Sequence, residues 1–361
     1  MQMKRRVAVV LFNLGGPDAP SAVRPFLTNL FTDPAILRVP GWLRPLLGRF
    51  IAWRRTKPAL ENYQILGGRS PLLELTRQQS AALEAALANE PGLEFRSFVA
   101  MRYWHPFAAE VVREVKEWGP DEVLLIPLYP QYSTTTTGSS ITDWDAACRA
   151  AGVVWPTSTL CCFHSDASFA DATARLLRVE YDKARASLPE GTKLRLLFSA
   201  HGLPEDIVKA GDPYQWQVER SAEAVFSALG LPDLEYQVCY QSRVTPQVWI
   251  GPSTDTEIER AAREGVAVLI CPIAFVSDHS ETLVELDVEY RQLGEKHGIP
   301  GYFRVPAQNS DSRFIDALAD LVRRVQGSAR SLCSFAGGRQ CPRQLTDCPH
   351  THAHVVNAKA A

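Results

Sequence analysis

The chain has 361 residues, 46% of them hydrophobic, and a formal net charge of -2 at pH 7. This length suffices for two domains with separate cores, and the balanced charge argues against a nucleic-acid partner. No apolar run reaches the ~18 residues that a transmembrane helix needs. The basic N-terminus precedes an apolar run that ends at Gly15-Gly16-Pro17 without a cleavage pattern of small residues, so we predict a buried first strand and a cytoplasmic protein.

Strand and helix patterns alternate along the first half of the chain. Continuous apolar runs at residues 6–11, 95–101 and 123–128 predict strands, whereas residues 73–88 and 108–118 predict helices. Such alternation is typical of βαβ units that form a parallel sheet covered on both faces. The first half is therefore predicted to be an α/β domain.

The same order of motifs returns in the second half. Residues 197–204 echo residues 11–17, and the strand-like residues 268–273 echo residues 123–128. We interpret the two echoes as a sign of two similar α/β halves. Because open parallel sheets bind ligands at the carboxyl ends of their strands, we expect a site in the cleft between the halves.

The two halves and the segment after them give three predicted regions. The first half covers residues 1–165 and includes a lip at about 40–72, and the second half covers residues 166–325. The remainder, residues 326–361, is a cysteine-containing tail.

A row of acidic residues follows the strand-like residues 266–274. Ser277 is predicted to cap a helix that starts there. Steps of three, four and four place four carboxylates on one face of this helix: Asp278, Glu281, Glu285 and Glu289. Like charges at this spacing repel, so the row is either a solvated surface or a wall that faces a cation or a proton. The predicted strand order brings the row to the same cleft as His201.

Residues 42–55 do not fit the alternation and form an amphipathic helical pattern. One side is apolar, with Trp42, Leu43, Leu46, Leu47, Phe50 and Ile51. The other side is basic, with Arg44, Arg49, Arg54 and Arg55. This pattern suits a lip that touches a membrane surface or holds an amphiphilic, anionic ligand, and it equally suits an ordinary helix packed on the core.

Six of the eight cysteines fall into two kinds, and the adjacent Cys161 and Cys162 are considered below. Those at Cys148, Cys239 and Cys271 lie in apolar helix or strand patterns and are predicted to be core residues. Three more, Cys333, Cys341 and Cys348, fall within sixteen residues of the tail, a density that indicates a metal site in a cytoplasmic protein.

Eight motifs, in family order over about residues 5–325, resemble those of ferrochelatases. They are LFNLGGP (11–17), GGRSPL (67–72), MRYWHP (101–106), LYPQYS (128–133), FSAHGLP (198–204), CYQSR (239–243, ending at Arg243), WIGP (249–252) and FVSDH (275–279). The resemblance implies two Rossmann-like halves, each a parallel sheet flanked by helices, with a porphyrin cleft between them. It also implies insertion of ferrous iron into protoporphyrin IX, the last step of haem b synthesis.

The resemblance assigns the catalytic groups of this reaction. His201 corresponds to the active-site histidine, which accepts a pyrrole proton, and Glu281 to the carboxylate that faces it; both are also expected to contact the substrate Fe²⁺. Supporting polar groups along the acidic helix are Asp278, His279 and Glu285. A histidine is a natural proton acceptor near neutral pH, and carboxylates can take the second proton or coordinate iron.

The resemblance also implies the substrate contacts. Porphyrin propionates are expected at Arg54, Arg55, Tyr63 and Ser70, since guanidinium groups pair well with carboxylates. Apolar contacts to the macrocycle are expected from Leu14, Trp249 and Phe275. The expected substrate contacts also include Arg102 and Tyr103, which directly follow the predicted strand at residues 95–101.

The tail resembles that of ferrochelatases that carry a [2Fe–2S] cluster on three C-terminal cysteines and one upstream. The C-terminal three are Cys333, Cys341 and Cys348, and the fourth is Cys161 or Cys162, of which Cys162 better matches the bacterial pattern. Zinc is the alternative, because His350, His352 and His354 follow directly. The third interpretation is a disordered tail with free thiols.

Two other functions are consistent with the sequence. One is a chelatase for coproporphyrin or another tetrapyrrole, and the other is a two-lobed porphyrin or haem carrier without catalysis. The pairing of His201 with Glu281 favours an enzyme, because a carrier has little need for it. The expected partners are protoporphyrin IX, Fe²⁺ and, through the lip, the inner face of a membrane; the chain is either a monomer or a homodimer.

Overall fold

A computed structural model describes residues 4–242, 247–328 and 330–351. Three residues named above, Arg243, His352 and His354, lie outside this part of the chain.

The chain forms two compact units. Unit 1 contains the described residues of Met1–Cys162 and Leu318–Gly338, and unit 2 contains those of Phe163–Ala317 and Arg339–His352.

Nine strands occur within the described residues: β1 (Arg5–Asn13), β2 (Leu93–Met101), β3 (Glu122–Pro127), β4 (Thr157–Leu160), β5 (Leu194–His201), β6 (Glu235–Gln241), β7 (Ala267–Pro272), β8 (Tyr302–Arg304) and β9 (Leu332–Cys333). The same part of the chain has eleven α-helices: α1 (Val23–Thr32), α2 (Arg44–Ile65), α3 (Leu72–Leu87), α4 (Ala108–Trp118), α5 (Thr137–Ala151), α6 (Ala167–Ser187), α7 (Glu205–Lys209), α8 (Tyr214–Leu229), α9 (Thr254–Arg263), α10 (Tyr290–Lys296) and α11 (Ser312–Gln326). Short 3₁₀ turns occupy Pro20–Ala22 and Pro349–Thr351, and Glu281–Glu289 is a π-helix.

Unit 1 is built on a parallel sheet with the strand order β2-β1-β3-β4-β9. Consecutive residues of the central β1, from Val7 to Asn13, are all buried, as expected for a strand covered on both faces. On one face Val10 and Phe12 pack with Val112 of α4 and Trp144 of α5. The continuous apolar strands of the sequence therefore form the core of this sheet.

Unit 2 repeats the same topology. Its four parallel strands have the order β6-β5-β7-β8, which matches β2-β1-β3-β4 of unit 1. Alternate residues of β5 face opposite sides: Leu196 and Phe198 pack with α6 and α8, whereas Leu197 packs with Ile258 of α9 and Leu286 of the π-helix. The predicted α/β fold with two similar halves is confirmed.

The described part of the tail is divided between the two units. Strand β9 extends the sheet of unit 1, and the N–H of Cys161 donates to the carbonyl of Cys333 at 2.7 Å. In unit 2 the N–H of Asp347 donates to the carbonyl of Gly211 at 3.1 Å. The tail is thus held by backbone hydrogen bonds on either side of Gly338.

The lip forms a helix that is exposed on one apolar face. Trp42, Leu46, Phe50 and Trp53 are 78%, 64%, 51% and 58% exposed, whereas Ile51 packs with residues of α1. The predicted apolar stripe is therefore split into a packed side and an exposed side. No helix in the described ranges is long and apolar enough to cross a membrane.

The acidic helix differs from the prediction in its start and its winding. Ser277 does not cap it, because Ser277 and Asp278 lie in the turn before it, where the N–H of Asp278 donates to Oδ1 of Asn309 at 2.9 Å. The helix proper is the π-helix, a rare form with i→i+5 hydrogen bonds that often marks functional sites. Asp278 is therefore off the helix, whereas Glu281 and Glu285 are on it.

Candidate active site

His201 is the last residue of β5, and its imidazole meets the π-helix. Its Nδ1 lies 2.9 Å from Oε2 of Glu281, and the two side chains are 36% and 25% exposed. Because an ionised carboxylate only accepts hydrogen bonds, the hydrogen of the neutral imidazole is on Nδ1. The lone pair of Nε2 is then available to take a proton, an arrangement that serves general-base catalysis in other enzymes.

The His201–Glu281 pair has mutually shifted pKa values. Burial disfavours the charged form of each group, but their attraction outweighs this effect. The charge and hydrogen bond of Glu281 raise the pKa of His201 above the usual 6.5. The charge and hydrogen bond of His201 hold the pKa of Glu281 well below its usual range. Glu281 therefore stays ionised at neutral pH and makes the imidazole a stronger base.

His279 lies near the same carboxylate. Its Nε2 is 3.8 Å from Oε2 of Glu281, and its Nδ1 is 3.1 Å from the carbonyl oxygen of Ser277. Because a carbonyl only accepts, Nδ1 of His279 carries a hydrogen. The ring of Phe275 packs edge-on against the imidazole at 4.6 Å. These contacts fix the orientation of His279 beside Glu281.

Glu285 is held by four hydrogen-bond donors. Its oxygens accept from Nε2 of Gln241 at 3.0 Å, the N–H of Ser242 at 2.9 Å, the hydroxyl of Tyr290 at 3.1 Å and the hydroxyl of Ser242. Burial and the negative charge of Glu281 raise the pKa of Glu285. Ser242 has a φ of 64°, a conformation that costs energy for a serine and is often kept at functional sites.

Gln241 is oriented by a chain of buried hydroxyl groups. Its Oε1 accepts from the hydroxyl of Ser199 at 2.8 Å, and that oxygen lies 2.9 Å from Oγ1 of Thr254. The amide nitrogen of Gln241 must then point the other way, toward the carboxylate of Glu285 and the carbonyl of Glu281. We assigned no role to Gln241 from the sequence, although a serine inside the apolar strand β5 was a visible signal.

Asp278 contacts groups other than His201. Its Oδ1 accepts from Nη1 of Arg304 at 2.9 Å, and its Oδ2 accepts from Nδ2 of Asn309 at 2.9 Å. One carboxylate oxygen therefore has a donor at the end of β8, and the other has a donor on the loop that follows β8.

In unit 1, Arg102 and Tyr103 share one buried carboxylate. Oδ2 of Asp33 accepts from Nη2 of Arg102 at 2.7 Å, the hydroxyl of Tyr103 at 2.8 Å and the hydroxyl of Ser139 at 2.6 Å. Burial and the charge of Asp33 raise the pKa of Tyr103, so the phenol stays a donor. Asp33 neutralises the charge of Arg102, a partner that we did not identify from the sequence.

The predicted propionate contacts lie on α2 and on the turn after it. Arg54 is exposed and Arg55 is half-buried, whereas Tyr63 is buried on the same helix. The N–H of Ser70 donates to the carbonyl of Pro17 at 2.8 Å. A Cβ atom at Gly16 would lie 2.5 Å from Oγ of Ser70, so only glycine permits this close approach.

The predicted macrocycle contacts follow strands. Leu14 comes directly after β1 and is half-buried, and Phe275 follows β7. Trp249 is half-buried and forms a bridge with Pro204. A Cβ atom at Gly202, next to His201, would lie 3.1 Å from the indole of Trp249. Gly202 therefore lets Trp249 approach the end of β5 closely.

The candidate cluster cysteines are buried and occur in both units. In unit 1 the Sγ atoms of Cys161 and Cys162 lie 3.5 Å apart, beside the strand that carries Cys333. In unit 2 the hydrogen bond from Cys341 lowers the pKa of Cys348 to about 7. Among the residues that the structure describes, no three His, Cys, Asp or Glu side chains form a group that could hold one metal ion.

Comparisons with known proteins agree on the family. The ferrochelatase family model matches residues 6–326. A ferrochelatase of Caulobacter vibrioides is 52% identical over 348 residues, which cover 96% of this chain and 98% of that protein. A ferrochelatase of Hyphomonas neptunium is 49% identical over 350 residues, with 96% and 95% covered.

Among solved structures, SirB from Bacillus subtilis with Fe³⁺ has a similar fold. The TM-score is 0.50 at 12% sequence identity, and the alignment covers 90% of this chain and 96% of SirB. At this identity the likeness bears on the fold alone. The sequence relatives and the family model decide the assignment: the chain is an enzyme and belongs to the ferrochelatase family.

Proposed function

We propose that the protein inserts Fe²⁺ into protoporphyrin IX to form haem b, with His201 as the base that removes a pyrrole proton. The observation that carries this proposal is the 2.9 Å contact between Nδ1 of His201 and Glu281. It leaves Nε2 as the acceptor, and the ionised carboxylate stabilises the imidazolium that forms. The family membership supplies the class of reaction.

Metallation releases two protons per porphyrin, because Fe²⁺ replaces the hydrogens on two pyrrole nitrogens. We assign the first proton to Nε2 of His201. We propose that Glu285 accepts a proton next, since burial and the charge of Glu281 raise its pKa while the pKa of Glu281 is lowered. A pair of carboxylates with pKa values shifted in opposite directions is typical of acid–base sites. Glu281, which stays anionic, is also the better ligand for the incoming Fe²⁺.

The other predicted side chains are assigned to substrate binding and support. Arg54, Arg55, Tyr63 and Ser70 are proposed to hold the propionates, and Leu14, Trp249 and Phe275 to contact the macrocycle. Asp278 and His279 support the catalytic pair. Arg102 is already neutralised by Asp33, so we propose that it and Tyr103 orient the substrate without adding net positive charge.

The test compares two histidines of unit 2 that each lie near a glutamate. His201→Ala should abolish iron insertion while protoporphyrin still binds with nearly unchanged affinity. His297→Ala is the matched control, since His297 Nε2 lies 3.8 Å from Glu259 on the surface. Turnover is followed under anaerobic conditions by the Soret shift, and binding by porphyrin fluorescence without iron. A His201→Ala enzyme with normal turnover would contradict the assigned base.

The same assay addresses the substrate and the carrier alternative. With protoporphyrin IX and coproporphyrin compared at equal concentrations, we expect a higher kcat/KM for protoporphyrin IX. A protein that binds both porphyrins tightly but metallates neither would instead be a carrier.

We further propose a [2Fe–2S] cluster held by Cys162, Cys333, Cys341 and Cys348. The side chains fit in donor type and burial, and Nε2 of Gln217 donates to Sγ of Cys341 at 3.1 Å, which favours a thiolate there. A bound cluster would supply a structural or iron-sensing element, since iron insertion changes no oxidation state. The choice between Cys161 and Cys162 rests on the resemblance of Cys162 to the bacterial pattern.

The cluster proposal is tested by the visible spectrum of the protein as purified. We expect a red-brown protein and loss of the colour in Cys162→Ser. Cys161→Ser is the matched control, since both thiols are buried. It should keep the colour, because Cys161 is not a proposed ligand of the cluster. A colourless protein with bound zinc would support the alternative metal site, and a colourless protein without metal would support free thiols.

We also propose that the exposed apolar face of the lip, formed by α2 and the turn before it, binds the cytoplasmic side of a membrane. Trp42, Leu46, Phe50 and Trp53 offer apolar area, and the neighbouring Arg49 and Arg54 suit anionic lipids. In flotation with vesicles that contain anionic lipid, Phe50→Ser should reduce binding. Val154→Ser, at an even more exposed apolar residue of unit 1, should not. Equal binding of both variants would contradict the proposal.

A further inference from the structure

Arg304 joins two carboxylates that flank the catalytic part of the π-helix. It is the last residue of β8, the edge strand of the unit 2 sheet, and its side chain is 10% exposed. Its Nε and Nη2 bind the two carboxylate oxygens of Asp287 at 2.6 and 2.7 Å. Its Nη1 binds Oδ1 of Asp278 at 2.9 Å. One guanidinium therefore holds the turn before the π-helix and a residue within it.

Asn309 completes this arrangement from the loop after β8. Its amide nitrogen donates to Oδ2 of Asp278, and its Oδ1 accepts from the N–H of Asp278, both at 2.9 Å. The N–H of Asn309 in turn donates to the carbonyl of Val276 at 2.9 Å. The turn that leads into the π-helix is thus fixed to β8 and to the loop after it.

The catalytic carboxylates lie in sequence between the two aspartates that Arg304 binds. Glu281 and Glu285 contact residues at the ends of β5 and β6, whereas Asp278 and Asp287 contact the end of β8. A π-helix turns less per residue than an α-helix, so its winding fixes how Glu281 and Glu285 are directed. A rare winding of this kind is kept only where tertiary contacts favour it.

We propose that Arg304 is a positioning residue, which holds the π-helix in the register that brings Glu281 to His201. The inference rests on the proposed role of His201 and Glu281. Arg304 touches neither of them, so it acts only through Asp278 and Asp287. Its planar guanidinium is suited to this task because it binds Asp287 through two parallel hydrogen bonds while a third nitrogen reaches Asp278.

The structure indicates how the helix would respond without Arg304. Asp278 is 10% exposed and Asp287 is 29% exposed, so two neighbouring carboxylates would lose their shared cation in a partly desolvated place. Because partly buried charges without a partner are destabilising, the turn and the π-helix would lose a contact that ties both of them to β8. A lysine would keep the charge, but as a point charge it cannot bind both oxygens of Asp287 in the same geometry.

The test uses Arg304→Lys and Arg304→Met, with Arg291→Met as the matched control. Arg291 also joins the π-helix to β8. Its Nε donates to the carbonyl of Asp287 at 3.2 Å, and its Nη1 donates to the carbonyl of Tyr302 at 2.8 Å. Unlike Arg304, it binds the carboxylate of neither Asp278 nor Asp287. We expect Arg304→Lys to lower kcat about tenfold and Arg304→Met to lower it more, since alignment acts on the transition state. The Kd of protoporphyrin without iron should stay unchanged.

The control separates positioning from a general loss of stability. If Arg291→Met lowers the Tm as much as Arg304→Met but keeps its kcat, the effect of Arg304 is specific to the aspartates. Wild-type kcat in both Arg304 variants, or equal kcat losses in Arg304→Met and Arg291→Met, would overturn the inference. The proposed function is tested separately, because an active His201→Ala enzyme would contradict the assigned base whatever the Arg304 variants do.

Discussion

The carboxyl ends of the two sheets have the same strand order but carry different side chains. Phe12 of β1 pairs with Pro127, the last residue of β3, and Ser199 of β5 pairs with Pro272, the last residue of β7. Phe12 of unit 1 therefore corresponds to Ser199 of unit 2. Two residues further on, Leu14 corresponds to His201. The same topological position is therefore an apolar side chain in one unit and a titratable one in the other.

The neighbouring strands extend this contrast. By the same register, Arg102 after β2 corresponds to Gln241 at the end of β6. Arg102 is locked in an ion pair with the buried Asp33, whereas Gln241 is neutral and donates to Glu285. At these positions unit 1 thus presents an apolar side chain and an ion-paired one, whereas unit 2 presents groups that contact two glutamates whose pKa values are shifted apart. The proposed proton acceptors therefore lie in unit 2, whereas the proposed substrate contacts occur in both units.

Glu281→Gln should have the largest effect on kcat, because it removes the charge that is proposed to stabilise the His201 imidazolium and to bind Fe²⁺. The amide cannot stabilise the imidazolium of His201, so we expect kcat to fall at least about 100-fold. The Kd of protoporphyrin, measured by fluorescence, should change little. Glu289→Gln is the matched control at the exposed end of the same helix. If the affinity for protoporphyrin falls as much as kcat does, Glu281 acts in substrate binding instead, and the proposed difference between the units is wrong.

Asp33→Asn tests the corresponding prediction in unit 1. We expect it to lower the free energy of unfolding rather than kcat. The substitution removes a buried carboxylate that accepts from Arg102, Tyr103 and Ser139, at a cost of about 3 kcal/mol in the free energy of unfolding. Chemical denaturation measures the loss. At a temperature where the variant is folded, kcat should be nearly unchanged. A kcat as low as that of Glu281→Gln would contradict the division between the units.

The pH dependence should report the His201–Glu281 pair. His201 must be neutral to accept a proton, and Glu281 raises its pKa, so kcat/KM should rise with pH and level off only above the usual histidine range near 6.5. Without the negative charge, Glu281→Gln should move the inflection to lower pH, although its plateau is lower. Anaerobic rate profiles of the two enzymes give the comparison. An inflection that stays in place would mean that another group controls the profile.

Much of the fold was predictable because continuous apolar strands alternate with helical patterns in both halves. The residue-by-residue correspondence between the two halves was harder to predict from the sequence. The matching Leu-Phe pairs at residues 11–12 and 197–198 align Asn13 with Ser199, whereas the strand pairing aligns Phe12 with Ser199. Neighbouring apolar residues look alike in sequence, and a slip of one residue is decided only by the backbone hydrogen bonds between strands.

The site was partly predictable for a related reason. His201 and Glu281 were named from family motifs, but steps of three, four and four fit an α-helix, so nothing local indicated the π-helix. Its start depends on Arg304 and Asn309, which lie more than 20 residues further along the chain. Contacts of this kind leave no periodic signal. The buried partners Asp33 and Gln241 were missed because their roles arise only from the side chains that fold against them.

The smallest effect concerns the hydroxyl chain behind Gln241, which has no counterpart in unit 1, where Phe12 occupies the position of Ser199. Ser199→Ala removes the donor to Oε1 of Gln241 and should cost about 1 kcal/mol in the free energy of unfolding. The released amide can then rotate away from Glu285, so a several-fold lower kcat is expected. Thr254→Val, one step further along the chain of hydroxyls, should have a weaker effect on kcat. If Thr254→Val lowers kcat more than Ser199→Ala does, the amide of Gln241 is oriented by other contacts than its bond to Ser199.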